Sequence, residues 1–137
     1  MRRHSEECPV TVYWATLLDN VVAGYNAKTR CFSKEALPFL KFQDRCFFVK
    51  KEELPLGIAK AKHIAYGVTK HPARVPTLCV LEAQFLPEEL FQNNEDGFGV
   101  YRKGNEFPVS QLFLLINDEI EPFSEEALRA LQQKEQI

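Results

Sequence analysis

The feature that most constrains the fold of this chain is a strand–helix–strand pattern that begins at Arg45 and ends at Phe85. Its first part, Arg45 to Val49, is a short run rich in aromatic residues. From Leu54 to Lys70 apolar residues recur every three or four positions, which is the period of an amphipathic helix. The predicted inner face of this helix consists of Leu54, Ile58, Ala61, Ile64, Ala65 and Val68. Thr77 to Phe85 (TLCVLEAQF) has the length and the apolar content of a buried strand. The pattern predicts a helix packed on a sheet in an α+β fold.

Further elements are predicted on both sides of this segment. Val10 to Thr16 alternates β-branched and aromatic residues, and Glu106 to Ile116 is the last long apolar run, so both predict strands. Short helices are predicted from Leu17 to Ala23 and from Lys34 to Phe42. Ser124 is a typical N-cap for a C-terminal helix, whose inner face would be Ala127, Leu128 and Leu131. With no repeat or linker, we expect residues 1–137 to form a single domain with a small mixed sheet and packed helices.

Charge argues against a nucleic-acid partner. The net charge is −2, so the chain as a whole has no attraction for a polyanion. Cations are concentrated only around the predicted helix, at Lys60, Lys62, His63, Lys70, His71 and Arg74. This group lacks the repeated interleaving with glycine or aromatic residues that is typical of single-stranded nucleic-acid binding, and we interpret it as a solvated helix face.

The sequence also predicts the compartment of the protein. The N-terminal residues lack the apolar stretch of a signal peptide, and no apolar run has the length of a membrane span. We therefore expect a cytoplasmic (intracellular) protein with no membrane partner.

The four cysteines, at positions 8, 31, 46 and 79, lack the CxxC spacing of a zinc site. Cys46 and Cys79 lie within apolar runs, where a free cysteine behaves as a small hydrophobic residue. Free buried thiols are predicted rather than disulfides, a metal site or a nucleophile, and no metal is expected.

Three separated pieces of the chain follow one another in an order that is found in one family. The first, Val12 to Thr16 (VYWAT), is similar to the Val-Tyr-His-Gly-Thr strand of ADP-ribosyltransferases of the diphtheria-toxin and polymerase type. Arg45 to Val49, with the alanine-containing helix that follows, resembles their second motif, a Gly-x-Tyr strand. Lys103 to Val109 resembles the third, an Asn/Ser-x-Glu-Tyr strand start. The resemblance spans about Val10 to Ile116 and implies an ADP-ribosyltransferase-like split sheet.

The resemblance also implies a site. In the family the three motifs supply a histidine that holds a ribose, a tyrosine that stacks on the nicotinamide and a glutamate that stabilises the cationic transition state. The matching positions are Trp14, Phe48 and Glu106, and Thr16 ends the first motif. The resemblance therefore predicts that Trp14, Thr16 and Phe48 contact an NAD-type cofactor and that Glu106 is the catalytic residue.

The matching positions differ from the family in ways that bear on catalysis. A tryptophan cannot accept a hydrogen bond, so Trp14 cannot replace the histidine. Phe48 keeps the aromatic face but lacks the tyrosine hydroxyl. Gly104 stands where arginine-modifying members carry an additional acidic residue. If the chain is an enzyme, its reaction is glycosyl transfer from NAD, but the missing histidine favours ligand binding without turnover.

Two functions from different classes therefore remain open. The first is a divergent ADP-ribosyltransferase-like domain that binds an NAD- or nucleotide-type ligand in a cleft between sheet halves. The second is a small non-catalytic domain for binding a protein partner, with the cleft filled by Trp14 and Phe48 as ordinary core aromatics and Glu106 as a surface residue. Its docking surfaces would be the polar loop from Asn93 to Gly97 and the C-terminal helix.

Overall fold

The computed structural model describes residues 8–34, 45–69, 77–95, 97–116 and 119–135. These residues contain three α-helices and ten strands, which confirms the α+β class. In chain order the elements are β1 (Val10–Leu17), α1 (Leu18–Gly24), β2 (Tyr25–Asn26), β3 (Cys31–Ser33), β4 (Arg45–Phe48), α2 (Leu54–Thr69), β5 (Leu78–Phe85), β6 (Phe91–Gln92), β7 (Val100–Lys103), β8 (Glu106–Pro108), β9 (Gln111–Ile116), β10 (Glu119–Pro122) and α3 (Glu125–Glu135).

The central sheet has four antiparallel strands in the order β1-β5-β9-β10. β1 and β5 pair over their full length, from Val10 opposite Phe85 to Leu17 opposite Leu78. Six of the eight residues of β5 are buried, because other elements cover both faces of the sheet at this strand. The predicted buried strand is therefore confirmed, with Leu81 facing the main core and Val80 facing a second cluster on the opposite side.

Two sheets of short strands complete the fold, in the orders β2-β3-β8 and β4-β7-β6. The sheet that contains β4 meets the central sheet at a single bridge in the described residues, between Tyr13 and Val49. A single strand was predicted from Glu106 to Ile116, but this segment forms two strands, β8 and β9, that belong to different sheets. The chain passes from one sheet to the other at Val109 and Ser110, whose N–H groups donate to the carbonyls of Arg30 and Glu82.

Helix α2 packs on the face of the central sheet that carries Tyr13 and Val80. Leu54 is buried there, and Ile58 packs against the same cluster. Ile64 was predicted on this inner face, but it is 54% exposed because it lies beside an open cavity rather than over the sheet. No helix in the described ranges is long and apolar enough to cross a membrane.

Some predictions fall outside the described residues or side chains. These are the short helix after Lys34, the side chains of Ala65 and Val68, and the basic residues Lys70, His71 and Arg74.

Helix α3 begins as predicted, since the N–H of Ala127 donates to the Ser124 hydroxyl at 3.1 Å. Leu128 is fully buried in the main core and Leu131 packs beside it. Ala127 was predicted on the inner face but is exposed. The helix therefore contacts the core along a narrower stripe than its sequence indicates.

Candidate functional site

The candidate site lies where β1 and β4 separate. Main-chain hydrogen bonds of 2.8 Å join Tyr13 and Val49 in both directions. The same antiparallel register would place Ala15 opposite Phe47, but between β1 and β4 the described structure has only the Tyr13–Val49 bridge. Because main-chain groups alternate sides along a strand, the N–H and C=O groups of Ala15 and Phe47 point into the gap. The gap therefore has hydrogen-bonding groups along both edges.

This gap opens into a cavity of about 330 Å³, near the lower end of the roughly 300–1,000 Å³ that is typical of small-molecule sites. β1 and β4 line one part of it, and the α2 residues Gly57, Lys60 and Ala61 line another. The loop residues Asn93, Glu95 and Phe98, together with Lys34 and Phe107, complete the wall. Six separate parts of the chain thus contribute to one concave surface.

Aromatic rings form much of the wall. Trp14 packs against Phe32, with ring centroids 5.0 Å apart, and Phe48 packs edge-on against Phe107 at 4.9 Å. Phe48 is only 2% exposed, whereas Trp14 is half-buried. These contacts fix both rings, because each is held from behind by the main core. The structure therefore brings together two of the predicted site residues, Trp14 and Phe48, in one cavity wall.

Two lysines give the cavity a positive charge. Lys34 is 5% exposed, and its ammonium group donates a hydrogen bond to the carbonyl of Arg45. Lys60 is exposed, and its ammonium nitrogen lies 5.9 Å from the centroid of the Phe47 ring. Glu95 is the one carboxylate among the described lining residues. Lys34 and Lys60 both line the cavity, so both bring positive charge to its wall.

The loop after β6 contributes a polar group that the sequence analysis placed in solvent. Asn93 was predicted in an exposed loop but is 5% exposed. Its N–H donates to the Gly99 carbonyl at 3.1 Å, and its side-chain oxygen accepts from the N–H of Glu95 at 3.2 Å. Gly99 has a φ of +85°, and a Cβ there would lie 2.6 Å from the Phe48 carbonyl oxygen. The glycine therefore lets the loop approach β4 and close the cavity.

Cys46 also lines the cavity. Burial raises the pKa of its thiol, and the positive charges of Lys34 and Arg102 offset only part of that increase. The thiol is therefore neutral at pH 7 and a weak nucleophile. All four cysteines are free, and Cys46 and Cys79 are buried as predicted, whereas Cys8 is exposed and Cys31 is only partly buried. Among the residues the structure describes, no three histidine, cysteine or carboxylate side chains are grouped so as to hold a metal ion.

The other two predicted site residues lie outside the cavity wall. Thr16 is 7% exposed, and its hydroxyl accepts a hydrogen bond of 2.9 Å from the Asn20 amide. Glu106 is exposed at the start of β8, directly before Phe107, which is buried and lines the cavity. Because neighbouring residues on a strand point to opposite faces, the Glu106 side chain leaves β8 on the face away from Phe107. A catalytic role for Glu106 stays a prediction.

Fold and site together define an α+β domain with an aromatic, cationic cleft where two sheets diverge. The chain matches no protein-family model, no curated protein and no solved structure. These comparisons therefore show no family for this chain.

Sequence reasoning missed Lys34 and Asn93 as cavity residues and treated Lys60 as part of a solvated face. Lys34 and Asn93 reach the cavity through long-range main-chain contacts, from Lys34 to Asn105 and from Asn93 to Gly99. Neither contact has a local sequence signature. For Lys60 a signal was present, since it lies one position before Ala61, which was correctly predicted to face inward.

Proposed function

We propose that this chain is a divergent ADP-ribosyltransferase-like domain that binds an NAD- or nucleotide-type ligand in the cleft between β1 and β4. The observation that carries the proposal is the open cavity of about 330 Å³ at this point. The alternative, a cleft filled by Trp14 and Phe48, would leave little such space, because the two rings would occupy it.

The cavity wall suits the flat part of such a ligand. A nicotinamide or purine ring stacks well on aromatic faces, and Trp14, Phe47 and Phe98 supply three that are only partly buried. The main-chain groups of Ala15 and Phe47 add donors and acceptors in the plane of a ring that enters the gap. The main-chain groups in the gap between β1 and β4 would therefore recognise the base or the amide of the ligand.

The lysines suit the phosphate part of the ligand. An ammonium group binds phosphate as a point charge, and its strength increases where water is excluded. Lys34 is buried beside β4, while Lys60 projects from α2 on another side of the cavity. A diphosphate or monophosphate between them would receive positive charge from two directions. The modest volume favours a ligand of mononucleotide size, or one part of a dinucleotide, over a fully enclosed NAD.

The groups needed for chemistry are less well represented than those needed for binding. Trp14 stands at the histidine position and offers only an indole N–H donor. Glu106 starts β8 on the face away from Phe107. Cys46 is a neutral buried thiol. We therefore expect ligand binding without efficient cleavage of NAD, and any residual activity would be glycosyl transfer from NAD.

Isothermal calorimetry with AMP, ADP-ribose and NAD tests this proposal. We expect saturable binding of at least one of them and an affinity about tenfold lower for Lys60→Ala, since a hydrogen bond to a charged group contributes roughly 1.5–3 kcal/mol. Lys28→Ala is the matched control, because Lys28 is an exposed lysine in the turn between β2 and β3. Absence of binding by the unaltered chain would refute the proposal.

Alkylation of Cys46 provides a second, site-specific measurement. A ligand in the cavity should slow its modification by iodoacetamide, whereas the exposed Cys8 in the same molecule should react at an unchanged rate. Glu106→Gln then tests the part of the proposal that comes from the motif resemblance. Loss of binding in this variant would mean that the carboxylate reaches the ligand from outside the cavity wall.

A further inference from the structure

One face of the sheet β4-β7-β6 combines aromatic and cationic side chains. Register places Arg45 opposite Lys103, Phe47 opposite Tyr101, and Phe91 opposite Tyr101. Because directly paired residues point to the same side of an antiparallel sheet, these five side chains share one face. We call this face the aromatic–basic face.

The rings of this face are in contact with one another and accessible to solvent. Phe91 stacks on Tyr101 with an interplanar angle of 22° and centroids 5.3 Å apart, and Phe47 lies 6.1 Å from Tyr101. Phe91 is 41% exposed, and Tyr101 and Phe47 are half-buried. Large apolar side chains are seldom grouped in this way on a surface without a partner. The three rings form a short row across the sheet.

Each ring has its own cation. The Arg45 guanidinium lies 4.7 Å from the centroid of Tyr101, Lys103 lies 5.3 Å from Phe91, and Lys60 of α2 lies 5.9 Å from Phe47. The strands β4, β6 and β7 contain no aspartate or glutamate. The remaining cation, Arg102, points to the other face and pairs with Glu89 at 3.5 Å. The charged side chains of these three strands are therefore all cationic, although the chain as a whole has a net charge of −2.

We propose that the aromatic–basic face binds single-stranded nucleic acid. Unpaired bases stack on accessible aromatic rings, and the phosphate backbone follows a track of cations; this combination distinguishes single-stranded binding from simple attraction of a polyanion. The spacing of one cation per ring matches one charge per nucleotide. An acidic polypeptide without apolar or aromatic side chains would use the cations but would gain little from the stacked rings.

This inference does not depend on the ligand proposed for the cavity. Phe91, Tyr101 and Lys103 do not line the cavity, and only Phe47 and Lys60 lie at its border with the face. Variants of Phe91 and Lys103 therefore test the face alone. If they change oligonucleotide binding while AMP binding is unaltered, the two sites are separate.

The experiment is fluorescence anisotropy of the full chain with labelled oligo-dT and oligo-U of about ten nucleotides, at a series of salt concentrations. We expect saturable binding that is stronger than to a duplex of equal length. Stacking on one ring is a large part of such binding, so Phe91→Ala should weaken it about tenfold. Lys103→Ala should reduce the slope of log affinity against log salt by about 0.7, the value for one phosphate contact on a single strand. The relative affinities for oligo-dT and oligo-U show whether DNA or RNA is preferred.

Ile116→Ala is the matched control, because Ile116 is 43% exposed and lies on β9, away from β4 in the strand order. Phe91 and Lys103 are exposed, so their variants should stay folded, with melting temperatures within about 10 °C of that of the unaltered chain. Equal effects of Phe91→Ala and Ile116→Ala, or binding of polyglutamate as tight as that of the oligonucleotides, would overturn the proposal. So would the absence of saturable binding at low salt.

Discussion

The central sheet and the sheet β4-β7-β6 use aromatic and apolar residues in opposite ways. In β5, six of eight residues are buried and elements cover both faces. In β6 and β7 none of the six residues is buried. The two sheets are nevertheless neighbours, joined through the bridge between Tyr13 and Val49.

The buried central sheet therefore contributes mainly to stability, whereas the sheet β4-β7-β6 keeps aromatic rings accessible. A side chain enclosed by neighbours on all sides contributes mainly to the free energy of folding. An aromatic ring on a half-covered sheet contributes less to folding and remains accessible to a partner. The cavity lies at the boundary, where rings held by the central core form a wall that a ligand can still reach.

The largest expected effect is in the central sheet. Leu81 is fully buried and lies opposite Trp14 on one side and Leu112 on the other. Leu81→Ala should lower the free energy of unfolding by about 3–5 kcal/mol, because truncation leaves a cavity in close-packed surroundings. Gln84→Ala in the same strand is exposed and should change it by less than about 0.5 kcal/mol. Urea denaturation measures both, and similar losses would contradict the stated burial of β5.

The central sheet should also lose stability in alkali. Burial raises the pKa of the Cys79 thiol from 9.0 to about 12, while main-chain hydrogen bonds oppose the increase. The folded state then keeps a proton that the unfolded state has lost, so stability is complete below pH 9.0 and decreases as the pH rises toward about 12. The difference in pKa corresponds to about 4 kcal/mol over that range.

Urea denaturation of the unaltered chain and of Cys79→Ala between pH 8 and pH 11 isolates this contribution. The variant should be less stable at pH 8 but should lose less stability with increasing pH. Parallel curves would mean that the Cys79 thiol does not titrate in this way.

A third prediction concerns Gly99, where the loop after β6 packs against β4. Gly99→Ala should lower the free energy of unfolding by about 2–4 kcal/mol, since the added methyl group meets the Phe48 carbonyl and φ is positive. Gly97 also has a positive φ, +76°, but nothing lies within 4 Å of its Cβ position. Gly97→Ala should therefore cost only the backbone strain, about 1 kcal/mol. Equal melting temperatures for the two variants would show that the loop does not close against β4.

The smallest effect is expected on the aromatic–basic face. Phe91 is 41% exposed on the two-residue strand β6. Phe91→Ala should lower the free energy of unfolding by about 1–2 kcal/mol, less than Leu81→Ala, because 41% of Phe91 is already exposed to water. A loss as large as that of Leu81→Ala would place Phe91 in the core and remove the contrast between the two sheets. Thermal denaturation of both variants in one buffer makes the comparison.

The nucleic-acid proposal departs from the sequence-based expectation for a physical reason. Around the predicted helix, the sequence lacks repeated interleaving of aromatic and basic residues. In the fold, Arg45, Phe91 and Lys103 come from three separate strands and meet only because those strands pair. A sheet face is built from every second residue of several segments, so its chemistry is not visible in any one of them.

The sequence by itself determined the local elements of this protein. The apolar period from Leu54 onward specified α2, the largely apolar run ending at Phe85 specified a buried central strand, and Ser124 specified the start of α3. These signals are local, because helix periodicity, strand burial and capping each depend on residues close together in the chain.

Tertiary structure alone decided where the strands pair and, through pairing, where the cavity lies. The passage of Glu106 to Ile116 between two sheets depends on hydrogen bonds from Val109 to Arg30 and from Ser110 to Glu82. The divergence of β1 and β4 beyond Tyr13 places Trp14 and Phe48 in one wall and adds Lys34 and Asn93. Register and pairing are set by the sum of many weak long-range contacts, so the same local pattern is compatible with several sheets and only the folded chain selects one.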